Sequence, residues 1–277
     1  MRATGDTTVL VTGATDGLGR NLAAELAGRG ATVLVHGRDP ERGERTADAI
    51  RRESGNDRVH LHLADFAELR QVRSLAEEVE RAHPELHLLI NNAGIGSGLP
   101  AGRERQESRD GYELRFAVNY LAGFLLTQRL LPLLERSAPA RVVNVASIGQ
   151  HPIDFDDPML TRGYSGTRAY GQSKLAQIMH AMEIAERVPA DRVSANSLHP
   201  ATYMPTKMVL EEVGRSIDTL ETGTAATLRL AIGDELEGVS GKFFDRDREA
   251  AAQPQAYDPE ARRRLWELSE RLVEARL

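Results

Sequence analysis

The chain has 277 residues, 41% hydrophobic and 27% charged, with 35 basic against 41 acidic residues and a net charge of −6. Such numbers suit one soluble α/β unit with a sizeable core, and the acidic balance argues against nucleic acid as a main partner, since phosphate neutralisation needs a basic face. The absence of cysteine excludes disulfides, thiolate nucleophiles and Cys-ligated metals.

Strand-like and helix-like patterns alternate from the start. Thr8–Thr12 (TVLVT) reads as a short buried strand, and Gly17–Arg29 as a helix with Leu18, Leu22 and Leu26 at helical spacing. Ala31–His36 is a second strand and Pro40–Glu53 a second helix, with proline in its first turn. Val59–Leu63, Glu68–Ala82 and Leu86–Asn91 continue the alternation. Residues 95–108 read as a loop, Arg109–Glu135 as a long helix and Arg141–Ala146 as a fifth strand. A second long loop covers 148–166, followed by a helix at Ala169–Arg187, strands at Val193–Leu198 and Lys242–Asp245, and a tail helix at 258–276. Apolar strands separated by helices predict a parallel sheet covered on both faces. No linker or repeat divides the chain, so one domain over 1–277 is expected, with a cofactor half to about 145 and a catalytic and substrate half from about 146. With seven residues before the first strand, no signal peptide is expected. No apolar run is expected to approach the ~20 residues of a membrane span, and a cytoplasmic chain is expected.

TGATDGLGR lies between the first strand and first helix. Glycines there let the backbone turn tightly and approach a pyrophosphate, and the helix N-terminus supplies N–H groups and partial positive charge. Gly13, Thr15, Asp16, Gly17, Leu18 and Gly19 are the expected cofactor-binding set, although the spacing is Gly-x-x-x-Gly-x-Gly and an ordinary βα turn is the competing explanation. The second strand ends VLVHGRDP. Gly37 stands where an acid would hold a ribose 2′-hydroxyl, and Arg38 follows, as an enzyme that takes a 2′-phosphate requires. The expected cofactor is NADP, as NADPH. Asp39 before Pro40 suits a helix N-cap.

Tyr170 and Lys174 in AYGQSKLAQ are four apart, hence on one helix face. An ammonium beside a phenol favours the phenolate and brings tyrosine toward acid/base work. With 6 Tyr and three lysines in the chain, about 0.06 such pairs arise by chance, so company along the chain carries the weight.

That company resembles the short-chain dehydrogenase/reductase family over essentially the whole chain. TGATDGLG looks like its cofactor turn; Asp65 in HLADF, with Phe66 beside it, matches its adenine-contacting position; NNAG at Asn91–Gly94 matches the segment against the adenosine half, giving Asn92, Ala93 and Gly94 as contacts. Asn119, Ser147, Tyr170 and Lys174 match its catalytic tetrad in order, and HPATYMPT at His199–Thr206 stands in place of the segment against the nicotinamide, with Pro200 and Thr202 as contacts and Ala201 where glycine is usual. The stretch from Ile153 to Gln177 resembles the retinol-dehydrogenase-like and protochlorophyllide-reductase-like branch. The resemblance implies a Rossmann-type three-layer domain with a seven-stranded, mostly parallel doubly wound sheet, order 3-2-1-4-5-6-7. It also implies a homodimer or homotetramer paired through the helices carrying Asn119 and Tyr170.

Carbonyl reduction puts negative charge on oxygen, which needs a donor in place as it develops. Ser147 can supply one, and Tyr170 another together with the proton. By resemblance, Lys174 binds the nicotinamide ribose and Asn119 holds a water linking the lysine to solvent. Each has a bland alternative: a strand-end hydroxyl, a helix amide, a surface lysine. VASIG around Ser147 lacks the leading glycine of a nucleophile elbow. The eight histidines are scattered, with His60 and His62 in one strand pattern, and no metal is expected. Residues 95–108, 148–166 and 200–215 are expected to line the substrate pocket, the last with Tyr203, Met204, Met208, Val209 and Leu210. Asp154, Asp156 and Asp157 argue against a polyanionic substrate, and Arg262–Arg264 read as a solvated face. The leading expectation is an NADP-dependent oxidoreductase acting on a carbonyl/alcohol pair of a medium-sized, partly apolar molecule. An epimerase or dehydratase on the same scaffold, or an NADP(H)-binding sensor, stays open.

Overall fold

The computed structural model describes residues 3–98 and 104–275. Strand β1 (Thr8–Val11) leads to helix α1 (Gly17–Gly28), β2 (Thr32–Gly37) to α2 (Pro40–Ser54), and β3 (Val59–Leu63) to α3 (Leu69–Ala82). The second half runs β4 (Leu88–Asn91), α4 (Ala122–Arg136), β5 (Ala140–Val145), α5 (Gly166–Arg187) and β6 (Val193–His199). Beyond it lie α6 (Lys207–Val213), α7 (Leu220–Ile232), β7 (Phe243–Asp245), β8 (Arg248–Glu249) and α8 (Pro259–Glu274).

The sheet has the order β3-β2-β1-β4-β5-β6-β7-β8. Its first seven strands are parallel, and β8 returns antiparallel to β7. Side chains alternate across each strand. Val9, Val11, Val33 and Val35 therefore fall in the core under α1, α2 and α7, and Leu10, Leu34 and Leu89 in the core under α3, α4 and α5. Chain order reverses between β1 and β4, which pair side by side. Open α/β sheets bind ligands at that switch point, beyond the carboxyl ends of the strands.

Local chemistry sets the element ends. Asp39 caps α2, accepting from Arg42 N at 3.0 Å, as the Asp-Pro start predicts. The eighth strand is a departure from the seven expected. Its two residues are exposed and charged, so no apolar alternation announces it. The helix expected from Arg109 begins later, and enters α4 through a π-helical turn at Phe116–Leu121. The helix Phe116–Arg136 is also a correction: by length and composition it could cross a membrane, with mean hydropathy 1.2 over its best window. Two thirds of that window (67%) is buried within the protein, which accounts for its apolar character.

Helix α8 lies on α4 and α5. Trp266 meets Phe124 edge-on with ring centroids 5.1 Å apart, the Arg187 guanidinium sits 4.1 Å over the indole, and the Tyr120 and Ser269 hydroxyls bond at 2.7 Å. Arg262 is not on a solvated face: it is largely buried and faces Glu183 at 3.5 Å. Arg263 and Arg264 are exposed. The tail helix thus packs on part of the helical layer through which the resemblance would pair two copies.

Candidate active site

The structure brings Asn119, Ser147, Tyr170 and Lys174 together beyond the ends of β4 and β5. Ser147 follows β5, and its hydroxyl accepts from Gly149 N at 3.0 Å. A Cβ placed on Gly149 would fall 3.4 Å from Ser147 Oγ and 3.8 Å from the Tyr170 ring, so the two side chains flank one glycine. Tyr170 and Lys174 occupy successive turns of α5, with the ammonium 5.6 Å from the phenol ring centroid. Lys174 is buried, not a surface lysine, and donates to the Val145 carbonyl at 2.9 Å and to Gln177 Oε1 at 2.8 Å. Asn119 sits inside the π-helical turn, a distortion that often marks functional sites. Its amide pins the loop after β4, accepting from Ile95 N at 2.8 Å and donating to Ile95 O at 3.1 Å and to Ser173 Oγ at 3.0 Å.

The electrostatics differ from the sequence expectation. Burial raises the Tyr170 pKa above the ordinary phenol value; a Ser147 hydrogen bond opposes the rise, and Glu212 and Tyr203 reinforce it. Burial also pulls Lys174 down to about 7. The expected downward pull of the ammonium on the phenol does not dominate, because Lys174 spends its donors on Val145 and Gln177 and is itself poorly solvated. Gln177 and Ser173 were missed by the sequence reading. Their signal was spacing: Gln177 lies three residues from Lys174 on the same helix face.

The glycine turn has the form a dinucleotide needs. Gly13 (φ 63°) and Gly17 (φ 52°) are left-handed, and a Cβ on Gly19 would lie 2.3 Å from Gly13 O and 2.5 Å from Asn92 Nδ2. Asp16 caps α1, accepting from Gly17 N at 2.7 Å. Leu18 packs in the core, so only its backbone could face a pyrophosphate. Asn92 donates to Thr12 O at 2.8 Å, and Ala93 N to Thr12 Oγ1 at 3.0 Å, which ties β4 to the turn. Gly94 stands beside the tetrad, its hypothetical Cβ 3.3 Å from Asn119 Oδ1.

His36 was also missed. It accepts from Gly13 N at 3.1 Å through Nδ1, faces Ala64 O at 3.1 Å through Nε2, and stacks on Phe66 at 4.3 Å. Burial lowers its pKa to about 4, so it is a neutral strut joining β2, β3 and the turn. Asp65 is half-buried and accepts from Ala67 N at 3.0 Å. A Cβ on Gly37 would lie 2.4 Å from Thr15 Cγ2, so the acid that selects a free 2′-hydroxyl would fit only if the Thr15 side chain shifted. Arg38 is exposed. A cavity of 360 Å³ opens next to the turn, lined among others by Thr15, Arg20, Arg42, Arg45 and Thr46. Arg42 lies in the first turn of α2, where a cation opposes the helix dipole. A cation placed there despite that cost is available to an anion in the cavity. The residues present therefore fit a phosphorylated dinucleotide.

Past β6, Pro200 and Ala201 are buried, and Thr202 N donates to Asp218 Oδ2 at 2.7 Å while its hydroxyl meets His199 Nε2 at 3.1 Å. The expected pocket walls fare unevenly. Tyr203 and Leu210 are exposed, whereas Met204 packs into the core against α7, its sulfur 2.3 Å from where a Gly223 Cβ would be. The three aspartates organise their own loop: Asp154 accepts from Asp156 N at 3.1 Å and Arg168 at 2.8 Å, Asp157 from Thr161 N at 2.9 Å, and Asp156 faces Arg264. Within 95–108, residues 99–103 lie outside the described residues. Among the described residues, no group of three His, Cys, Asp or Glu side chains is arranged to hold a metal ion.

A family model described as short chain dehydrogenase matches residues 7–214. The chain belongs to this family. As a short-chain dehydrogenase, it is an oxidoreductase built for a nicotinamide cofactor, and its relatives place it in the retinol-dehydrogenase-like branch. Retinol dehydrogenase 13 of Mus musculus is 37% identical over 289 residues, spanning 96% of this chain and 83% of the relative. Among solved structures, an uncharacterized protein from Mycobacterium paratuberculosis superposes with a TM-score of 0.79 at 31% identity, over 97% of this short-chain dehydrogenase and 94% of that chain. The Pseudomonas aeruginosa RhlG/NADP active-site complex gives 0.71 at 26% identity, over 89% and 98%.

Proposed function

We propose that this protein is an NADP-dependent oxidoreductase of a carbonyl/alcohol pair on a medium-sized, partly apolar small molecule. The observation that carries the reading is the placement of Ser147, Tyr170 and Lys174 around one glycine-lined space, joined through Asn119 and the NNAG loop to the dinucleotide turn. NADPH, when bound, supplies the hydride. Gly13, Gly17, Gly19 and the start of α1 would hold its pyrophosphate, with Arg38, Arg42 and Arg45 available to the 2′-phosphate.

The protein manages charge and the proton. Ser147 presents a hydroxyl to the carbonyl oxygen, and the raised pKa of Tyr170 keeps its phenol protonated as an acid for reduction. Lys174, drawn down to about 7, exchanges protons near neutrality. It can restore the phenol proton after turnover. Asn119 fixes Ile95, so the NNAG loop keeps its distance from the tetrad. The same groups run backward for alcohol oxidation. Tyr203, Leu210 and Val213, in the segment beyond β6, expose apolar side chains, which favours a partly apolar substrate. A cytoplasmic location belongs to the same reading, and cell fractionation tests it.

The test follows NADPH absorbance with a panel of aldehydes and ketones, including retinal, for the wild type and Tyr170→Phe. Turnover that Tyr170→Phe abolishes, with NADPH binding retained, supports the reading. Tight NADPH binding with no net oxidation of NADPH or alcohol would shift it to an epimerase, a dehydratase or a sensor.

A further inference from the structure

Residues 203–217 form an excursion closed at its neck. Ile217 N donates to Tyr203 O and Asp218 N to Thr202 O, each at 3.0 Å. Asp218 locks the neck further, accepting from Arg246 at 2.6 Å. Helix α6 lies within this excursion, and none of its seven residues is buried. A helix this short is marginal alone, and burial holds it only in part, through the half-buried Met208 and Val209. A polar contact adds to that hold.

That contact is Glu212. Its carboxylate reaches the loop after β4, accepting from Ser97 N at 3.2 Å and Ser97 Oγ at 2.9 Å through Oε2, and from Gly98 N at 2.6 Å through Oε1. Hydrogen bonds to an ionised acceptor are roughly twice as strong as neutral ones. Gly96 makes the approach possible: a Cβ there would lie 2.2 Å from Glu212 Oε1. The other end of the same loop is the catalytic centre, where Ile95 is pinned by Asn119 and a Cβ on Gly94 would lie 3.7 Å from Lys174 Nζ. Glu212 is also among the charges felt by the Tyr170 phenol. One five-residue loop thus has the tetrad at one end and the Glu212 carboxylate at the other.

We propose that Glu212 is a positioning residue of the catalytic centre, latching α6 onto the Ser97–Gly98 turn and so fixing the roof of the substrate pocket over the tetrad. The latch itself is independent of the substrate; its effect on turnover rests on the carbonyl/alcohol reading above. Two variants break it from opposite sides. Glu212→Ala removes the acceptor. Gly96→Ala leaves the carboxylate in the chain but displaces it. Glu212→Gln keeps one acceptor oxygen and gives an intermediate result.

Hydrogen exchange of the 95–98 and 207–213 segments reads the latch directly. Exchange at Ser97 and Gly98 is expected to accelerate about tenfold or more in Glu212→Ala and in Gly96→Ala, the size of losing a charge-assisted hydrogen-bond set. With cinnamaldehyde as probe, KM is expected to rise about tenfold while kcat stays within about threefold. The double variant is expected to be no worse than either single one, since both remove the same contact. Unchanged exchange, additive effects, or equal losses in kcat and kcat/KM overturn the proposal. If the wild type turns over no carbonyl, the enzymatic reading fails, and the exchange experiment still decides the latch.

Discussion

Lys174 donates an ammonium hydrogen to the Val145 carbonyl, 2.9 Å away, at the last residue of β5. The bond ties the catalytic helix to the strand that delivers Ser147, two residues on. The lysine is therefore a brace as well as a proton carrier, and its burial has a pH signature. Folded, it releases its proton near 7; unfolded, near 10.5. Between these values the unfolded chain binds more protons, so this group makes stability rise with pH across that window, with its full penalty present below about 7. Lys174→Met lacks the effect. The Tm of the wild type minus that of Lys174→Met is expected to increase from pH 7 to pH 9, and a flat difference would contradict the assignment. Activity in Lys174→Met is expected to fall by about 10²-fold or more, the range for losing a proton-transfer group.

Tyr170 should ionise above the ordinary tyrosine range, because burial and the Glu212 carboxylate both oppose the phenolate. An ultraviolet difference titration of wild type minus Tyr170→Phe is expected to show no tyrosinate signal until the pH exceeds about 10. A signal at neutral pH would mean that the ammonium governs the phenol after all.

Cofactor choice is expected to reside in Thr15, Gly37 and the arginines beside them. Arg38→Asp and Arg42→Ala should each weaken NADPH by about tenfold while leaving NADH nearly unchanged, as for loss of one charged phosphate contact. Fluorescence titration with both nucleotides measures the ratio. Gly37→Asp alone is expected to impair both, because its side chain meets Thr15 Cγ2. Adding Thr15→Ala should recover NADH binding first.

Helix α8 makes a prediction about both stability and assembly. Trp266 is buried between Phe124, His180 and Arg187. Trp266→Ala is expected to cost about 3–5 kcal/mol, the usual range for emptying a large aromatic site, measured by urea denaturation. With α8 packed on α5 and against Phe124, the full chain is expected to run as a monomer in light scattering at micromolar concentration. A stable dimer would place the interface on another face or show that α8 moves aside.

A buried ion pair supports the pocket from behind. Arg115 and Glu113 lie 3.6 Å apart, both largely buried; the Tyr164 hydroxyl bridges them, and Arg115 Nε donates to Gly96 O at 2.9 Å. Removing one partner leaves the other charge uncompensated. Arg115→Met is expected to destabilise by about 3–5 kcal/mol, whereas Tyr164→Phe, which deletes only the bridge, should cost about 1 kcal/mol.

The apolar run of Val9, Leu10 and Val11, the glycines of TGATDGLG and the Asp39-Pro40 start were legible in the chain because each obeys a local rule: a short all-apolar strand for a sheet covered on both faces, glycine in a tight turn, and a capped first turn. So were Asn119, Ser147, Tyr170 and Lys174, since a motif with fixed order needs no contact map. Three things were decided only in three dimensions. The Glu212 latch joins residues more than a hundred positions apart, and no spacing rule reaches that far. The role of Arg42 depends on which cavity the first turn of α2 faces. The upward shift of Tyr170 follows from how much water the folded protein removes from its phenol, and a sequence fixes which residues can lie close together along one helix but not how dry they become.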